Sequence, residues 1–196
     1  MIDKLARAAS NTLNPFVLSF IILVLFSFHS TGDTASALRW SAVSVALSVL
    51  PIFILVLLLV RTKKLDGLFV NTRRQRTLIY ILALALAVIA TLILVVYQAP
   101  KLLRVTFVAG LVAIIIFMII NIFWKISLHT AFMSASVAVL IITYGGIAAW
   151  TLLLLPPVGW ARIQLRQHTP MQVITGGLLS ASIVVLIFHC FNMINW

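Results

Sequence analysis

Three short polar patches in a largely apolar chain of 196 residues hold six of its 14 Lys and Arg residues and two of its four histidines. They read Asn71-Thr-Arg-Arg-Gln-Arg76, Lys125-Ile-Ser-Leu-His129 and Arg162-Ile-Gln-Leu-Arg-Gln-His-Thr-Pro-Met-Gln172. Together they bring arginines, a lysine, a serine and two histidines, with no acid among them. That set suits a phosphate group. Guanidinium forks match phosphate oxygens bidentately. Ser127 is a candidate N-cap for the helix that follows, which turns the backbone N–H groups of Leu128 and His129 toward an anion. Two histidines can divide the work on a phosphoester, one attacking phosphorus and the other protonating the leaving oxygen. Clustered guanidinium groups can provide the positive charge that a metal ion would otherwise bring.

The scarcity of acids narrows the chemistry further. The chain has three, Asp3, Asp33 and Asp66, and no glutamate. Mg²⁺-dependent phosphoryl transfer normally holds its ion with carboxylates. Paired-carboxylate hydrolysis and intramembrane acidic proton relays also need more than these. The single Cys190 offers neither an intramolecular disulfide nor a metal cluster. The expectation is a site with no metal and no cofactor.

The elements that must position these patches are membrane helices. Hydrophobic residues make up 63% of the chain and charged ones 9%, and the mean hydropathy is +1.22. A spanning helix needs about 20 mainly apolar residues, and several stretches meet that requirement. Apolar runs fall at about Pro15–Phe28, Ala37–Val60, Leu78–Tyr97, Leu103–Phe123, Ser127–Tyr144, Ile147–Trp160 and Met171–Phe188. The fold expected is all-α, a polytopic transmembrane bundle of six to seven helices forming one integral membrane domain over residues 1–196. Met1–Asn14 is polar, and no cleavable signal peptide stands out. Gly145-Gly146 predicts a tight interhelical turn and Pro156-Pro157 a bend, while Trp40, Trp124, Trp150, Trp160 and Trp196 suit an interfacial belt. His29 and His189 read as structural.

Seven passes would put the N-terminus and all three patches on one face. Of the 14 Lys and Arg residues, all but Arg39, Lys101 and Arg104 then fall on that face. The positive-inside rule makes it cytoplasmic. The net charge of +11 would suggest nucleic acid in a soluble protein. Here it points to anionic headgroups or phosphate, and no nucleic-acid partner is expected.

Taken singly, each patch has an ordinary structural reading: a juxtamembrane basic loop, a snorkelling lysine beside Trp124, interfacial histidines. Their co-occurrence on one side, in order and at fixed spacing, favours a site. The series Arg76 … Ser127-Leu-His129 … Arg162-(five residues)-His168-(three residues)-Gln172 resembles the three-part motif of the type 2 phosphatidic acid phosphatase superfamily. The likeness covers about residues 66–180, and its most specific parts are the Arg162-to-His168 spacing and the Gly176-Gly177 that follows. Members are helical membrane enzymes that dephosphorylate lipid phosphates and isoprenoid diphosphates without metal, through a phosphohistidine. The resemblance implies His168 as nucleophile and His129 as general acid, with Arg76, Ser127 and Arg162 binding phosphate.

The chain departs from the family pattern in places. Phe69 stands where the first element has lysine, and Arg73 or Lys125 could replace that charge. Thr77 replaces a proline, Ile126 and Leu128 flank Ser127 in place of proline and glycine, and Ala161 replaces a serine. Gln172 occupies the position of an aspartate that orients the nucleophile; its carbonyl can still fix the His168 tautomer but cannot neutralise an imidazolium. The resemblance implies a phosphatase acting on a lipid phosphate, an isoprenoid diphosphate or a prenyl-linked sugar phosphate in the cell (inner) membrane, with its site on the cytoplasmic face. A lipid phosphotransferase using the same site, or a catalytically silent protein that binds or transports lipid headgroups, is the alternative.

Overall fold

The computed structural model describes residues 1–68, 70 and 72–194, the Arg73 side chain excepted. Phe69 and the belt residue Trp196 therefore lie outside the described residues. The chain is helical, with no strand among the described residues. Nine α-helices follow in order among the described residues: α1 (Ile2–Thr12), α2 (Pro15–Ser30), α3 (Thr34–Leu47), α4 (Val49–Arg61), α5 (Arg73–Val96), α6 (Lys101–Phe123), α7 (Leu128–Tyr144), α8 (Leu155–Gln164) and α9 (Pro170–Cys190). A 3₁₀ segment, Gly145–Leu154, joins α7 to α8.

Among the described residues six helical segments are long and apolar enough to cross a membrane, and at most 28% of the apolar window in each is buried within the protein. So much exposed leucine, isoleucine and phenylalanine requires a hydrocarbon surround. This is an integral membrane protein. Several hydroxyls along the spans are turned back onto their own helices, as suits a medium without water. Ser27 Oγ donates to the Leu23 carbonyl at 2.8 Å, Thr91 Oγ1 to Ala87 at 2.7 Å and Thr106 Oγ1 to Leu102 at 2.8 Å.

Local chemistry sets the helix ends. Asn14 caps α2, its Oδ1 accepting from the N–H groups of Phe16 and Val17, and Pro15 takes the first helical position. Asp33 caps α3, and the Ser36 backbone N–H, at 2.8 Å, leads the contacts that hold its carboxyl below the usual carboxylate range. The second apolar run breaks at Ser48, three residues before Pro51, whose ring has no N–H to continue the ladder. Four helices, α4, α5, α8 and α9, close through a left-handed residue that is not glycine: Lys63, Gln98, Arg166 and Asn192. In each case the next N–H bonds back to the third residue from the helix end, as Gln167 does to Arg162.

The chain divides into two compact units, Met1–Ser19 with Lys125–Trp196, and Phe20–Trp124. In the second unit α5 and α6 form an antiparallel pair through the Tyr97–Pro100 turn, with Asn121 Nδ2 donating to Thr77 Oγ1 at 3.1 Å. Helices α3 and α4 pack on each other and on α5.

The first unit is built on a hairpin. Gly145 ends α7 with φ of 69°, a left-handed value that glycine adopts without strain. The chain then returns along α7: Met133 and Val137 pack with Val158, and Ile141 lies in the same cluster as Leu154. Pro156 and Pro157 sit in the first turn of α8, where their missing N–H groups cost nothing. The fifth and sixth apolar runs are thus one continuous helical segment, Leu128–Gln164, folded back on itself. Its outward arm of 17 residues is about 26 Å long at 1.5 Å per residue. The hairpin can therefore cross a bilayer and come back.

Cysteines at Lys125 and Gln167, each in a Cys190→Ser background, are expected to label from the same side of the membrane with an impermeant maleimide. A cysteine at Ile147 is expected to label from the other. Labelling of positions 125 and 167 from opposite sides would mean that the segment crosses only once.

Candidate active site

Helices α7, α8 and α9 bring the second and third polar patches together in the first unit. Arg162 lies in the last turn of α8 and is 3% exposed. After the left-handed Arg166, the chain reverses, and the N–H groups of both Gln167 (3.1 Å) and His168 (3.3 Å) bond to the Arg162 carbonyl. The five-residue spacing between Arg162 and His168 is the length of this turn. It fixes the arginine at the end of one helix and the histidine just before the next.

Thr169 starts α9 with a reciprocal capping box. Its Oγ1 accepts from the Gln172 N–H at 3.4 Å, and Gln172 Oε1 accepts from the Thr169 N–H at 3.2 Å. The same Oε1 stands 3.1 Å from His168 Nδ1. Because a backbone N–H can only donate, the amide atom facing it is the carbonyl oxygen, and His168 must then donate its Nδ1–H. The lone pair is left on Nε2. Gln172 thus caps α9 and sets the His168 tautomer with one atom.

Ser127 is fully buried and is the N-cap of α7, as its spacing predicts; its Oγ accepts from the Thr130 N–H at 3.5 Å. Its own N–H donates to the Gln172 carbonyl at 3.1 Å, and Thr130 Oγ1 donates to the Val173 carbonyl at 3.2 Å. The start of α7 is therefore tied to the first turn of α9. Gly176 makes that approach possible: a Cβ there would stand 2.9 Å from the Ser127 carbonyl oxygen. A Cβ at Gly177 would meet only Ser134, at an ordinary 3.8 Å.

His129, 3% exposed on the first turn of α7, completes the cluster. Arg162 and His168 lie near it, and a ring N–H donates to the backbone carbonyl of Ser10. Ser10 also accepts from Arg162 Nη1 at 2.9 Å through its hydroxyl. The segment Met1–Asn14, read from sequence only as polar, contains helix α1, packed on α8 through the buried Ala6 and Ser10. Asp3 near its start accepts from Gln164 Nε2 at 3.0 Å. The signal available in the sequence was the four-residue spacing of Ala6 and Ser10 on an otherwise charged helix.

Of the remaining candidates, Lys125 is half-buried just ahead of Ser127. Arg76 belongs to the other unit, at the start of α5, where it is 4% exposed and Nη2 donates to the Tyr80 hydroxyl at 3.1 Å. The Arg73 side chain lies outside the description. Among the described residues no group of three His, Cys, Asp or Glu side chains gathers in a way that could hold a metal ion. Comparison with protein-family models, with curated proteins and with solved structures finds no match to this chain.

Gly176→Ala is expected to destabilise the protein by about 1–3 kcal/mol, since backbone has to yield at Ser127. Gly177→Ala should leave stability within about 0.5 kcal/mol. Thermal melts of both variants in one detergent check the contrast, and equal losses would contradict it.

Proposed function

We propose that this chain is a metal-independent lipid phosphatase that removes phosphate or diphosphate from a lipid through a phosphohistidine at His168. The observation that carries the reading is one cluster in the first unit: Arg162 and His168 near His129, with His168 held by Gln172 in the tautomer that places the lone pair on Nε2. The polar patches that supply the cluster contain no acid, so a phosphate would meet cationic side chains there.

In the proposed reaction the Nε2 lone pair of His168 attacks phosphorus while the bond from phosphorus to the lipid-side oxygen breaks. His129 gives that oxygen a proton. Water then attacks the phosphohistidine, His129 takes the water's proton, and free phosphate leaves as the histidine is restored. Arg162 stabilises charge on the non-bridging oxygens, and the donors at the start of α7 can add to it. Gln172 fixes the ring but supplies no negative charge to the imidazolium. The substrate's hydrocarbon tail would stay among the apolar helices. The basic loops favour a cytoplasmic site in the cell membrane, which suits isoprenoid diphosphates or prenyl-linked sugar phosphates as substrates.

Purified protein in detergent with EDTA should release inorganic phosphate from farnesyl diphosphate or phosphatidic acid. His168→Ala should abolish the release, and His129→Ala should slow it by about 10²–10⁴-fold. Phosphate release that needs an added acceptor would make the protein a phosphotransferase. Silence across a panel of lipid phosphates would leave a headgroup-binding protein.

Gln172→Glu offers a second check, because glutamate also completes a capping box. Its carboxylate should raise the His168 pKa, since an opposite charge favours the protonated ring. The attacking form is neutral, so the acid limb of the rate profile should move to higher pH. An unchanged acid limb would mean that the limb does not report His168.

A further inference from the structure

Helix α1 has 11 residues, too few to stand alone in water or to cross a bilayer, and its order must come from what it packs against. It packs against α8 through Ala6 and Ser10, which are 0% and 2% exposed. The position of Ser10 in the helix matters. The last four carbonyls of an α-helix lack intrahelical partners, and Ser10 lies within that last turn of α1. Its neighbours' carbonyls are met locally, Ala9 by the Leu13 N–H and Asn11 by Asn14 Nδ2. The Ser10 carbonyl is met instead by the ring of His129, and its hydroxyl by the guanidinium of Arg162. The C-terminal end of a helix also carries partial negative charge, which suits two groups that are, or become, cationic.

We propose that Ser10 is a positioning residue of the phosphate site, and that α1 is the part of the fold that aims Arg162 and His129. The inference rests on the phosphatase reading and adds to it a residue more than a hundred positions from either partner in sequence. A guanidinium has five N–H donors in a fixed plane, so holding Nη1 decides which edge faces an anion. Holding one ring N–H of His129 likewise fixes the plane of the ring, and with it the direction of the second ring nitrogen. Both effects come from one residue: the hydroxyl sets the arginine, the carbonyl sets the histidine. Ser10→Ala removes only the first. The bland alternative is that the Arg162–Ser10 bond merely satisfies a buried charge and adds stability, as such bonds do.

Inorganic phosphate distinguishes the two. It should raise the melting temperature of the full-length protein in detergent, because a ligand that binds the folded state stabilises it. Arg162→Ala should abolish that increment. Ser10→Ala should weaken phosphate affinity, read from the concentration dependence of the increment, by about tenfold or more, the scale of a hydrogen bond to a charged group. Ser10→Thr, which keeps the hydroxyl, should restore it. In turnover, Ser10→Ala should raise KM for the lipid phosphate by more than it lowers kcat. A Ser10→Ala protein that melts lower without phosphate yet keeps wild-type phosphate affinity would overturn the positioning role and leave the phosphate site standing. No increment in the wild type would overturn both. If Ser10→Ala does not fold, Ser10→Cys preserves the volume with a poor acceptor, and the same outcomes decide.

Discussion

A guanidinium group buried to 3% exposure must find polar partners on every side, and much of the first unit is arranged to supply them to Arg162. Ser10 meets its side chain, the turn after α8 meets its carbonyl twice, and its charge reaches His129. Three separated stretches of chain converge there: the end of α1, the start of α7 and the link from α8 to α9. A buried cation of this kind is costly as pure structure, since an apolar side chain of similar size would pack with less loss of hydration. That cost is what makes its retention beside two histidines informative about function.

The bilayer imposes the second constraint. With hydrocarbon outside, hydroxyls must bond within their own helices, and those of Ser27, Thr91 and Thr106 do so. Polar atoms that bond between elements are therefore conspicuous. In the first unit they gather at one end, where Ser127, Thr130, Gln172 and Val173 stitch α7 to α9. The same bonds that close the helix ends thus set where His129 and His168 lie. Gly176 belongs to this stitching although it carries no polar side chain, because backbone contact with Ser127 leaves no room for a methyl group.

Much of this was legible in the sequence, and unevenly so. The helices could be read because apolar length alone decides them in a membrane. Ser127 could be read as a cap, and Gln172 as a partner for His168, because both relations span only three or four residues of a regular helix. What escaped were features decided by packing at long range. Helix α1 is short and charged, and only its docking on α8 reveals Ala6 and Ser10 as a buried face. The fifth and sixth apolar runs read as two passes joined at Gly145-Gly146, and the chain does reverse there. That the chain stays helical through a 3₁₀ segment and folds α8 back along α7 needs the pairing of Met133 with Val158. The break at Ser48 was hidden inside a single apolar run, although Pro51 marked it.

The two stretches that separate the site residues differ in how freely evolution could alter them. Between Arg162 and His168 the chain makes one closed turn, with both ends hydrogen-bonded to the same carbonyl, and an inserted residue there would swing the histidine off its bearing. Between His129 and Arg162 it runs out along one helix and back along another. A turn added to each arm would lengthen the hairpin and return the arginine to the same place. Kinship among such chains would then survive in a rigid short interval and dissolve in an elastic long one.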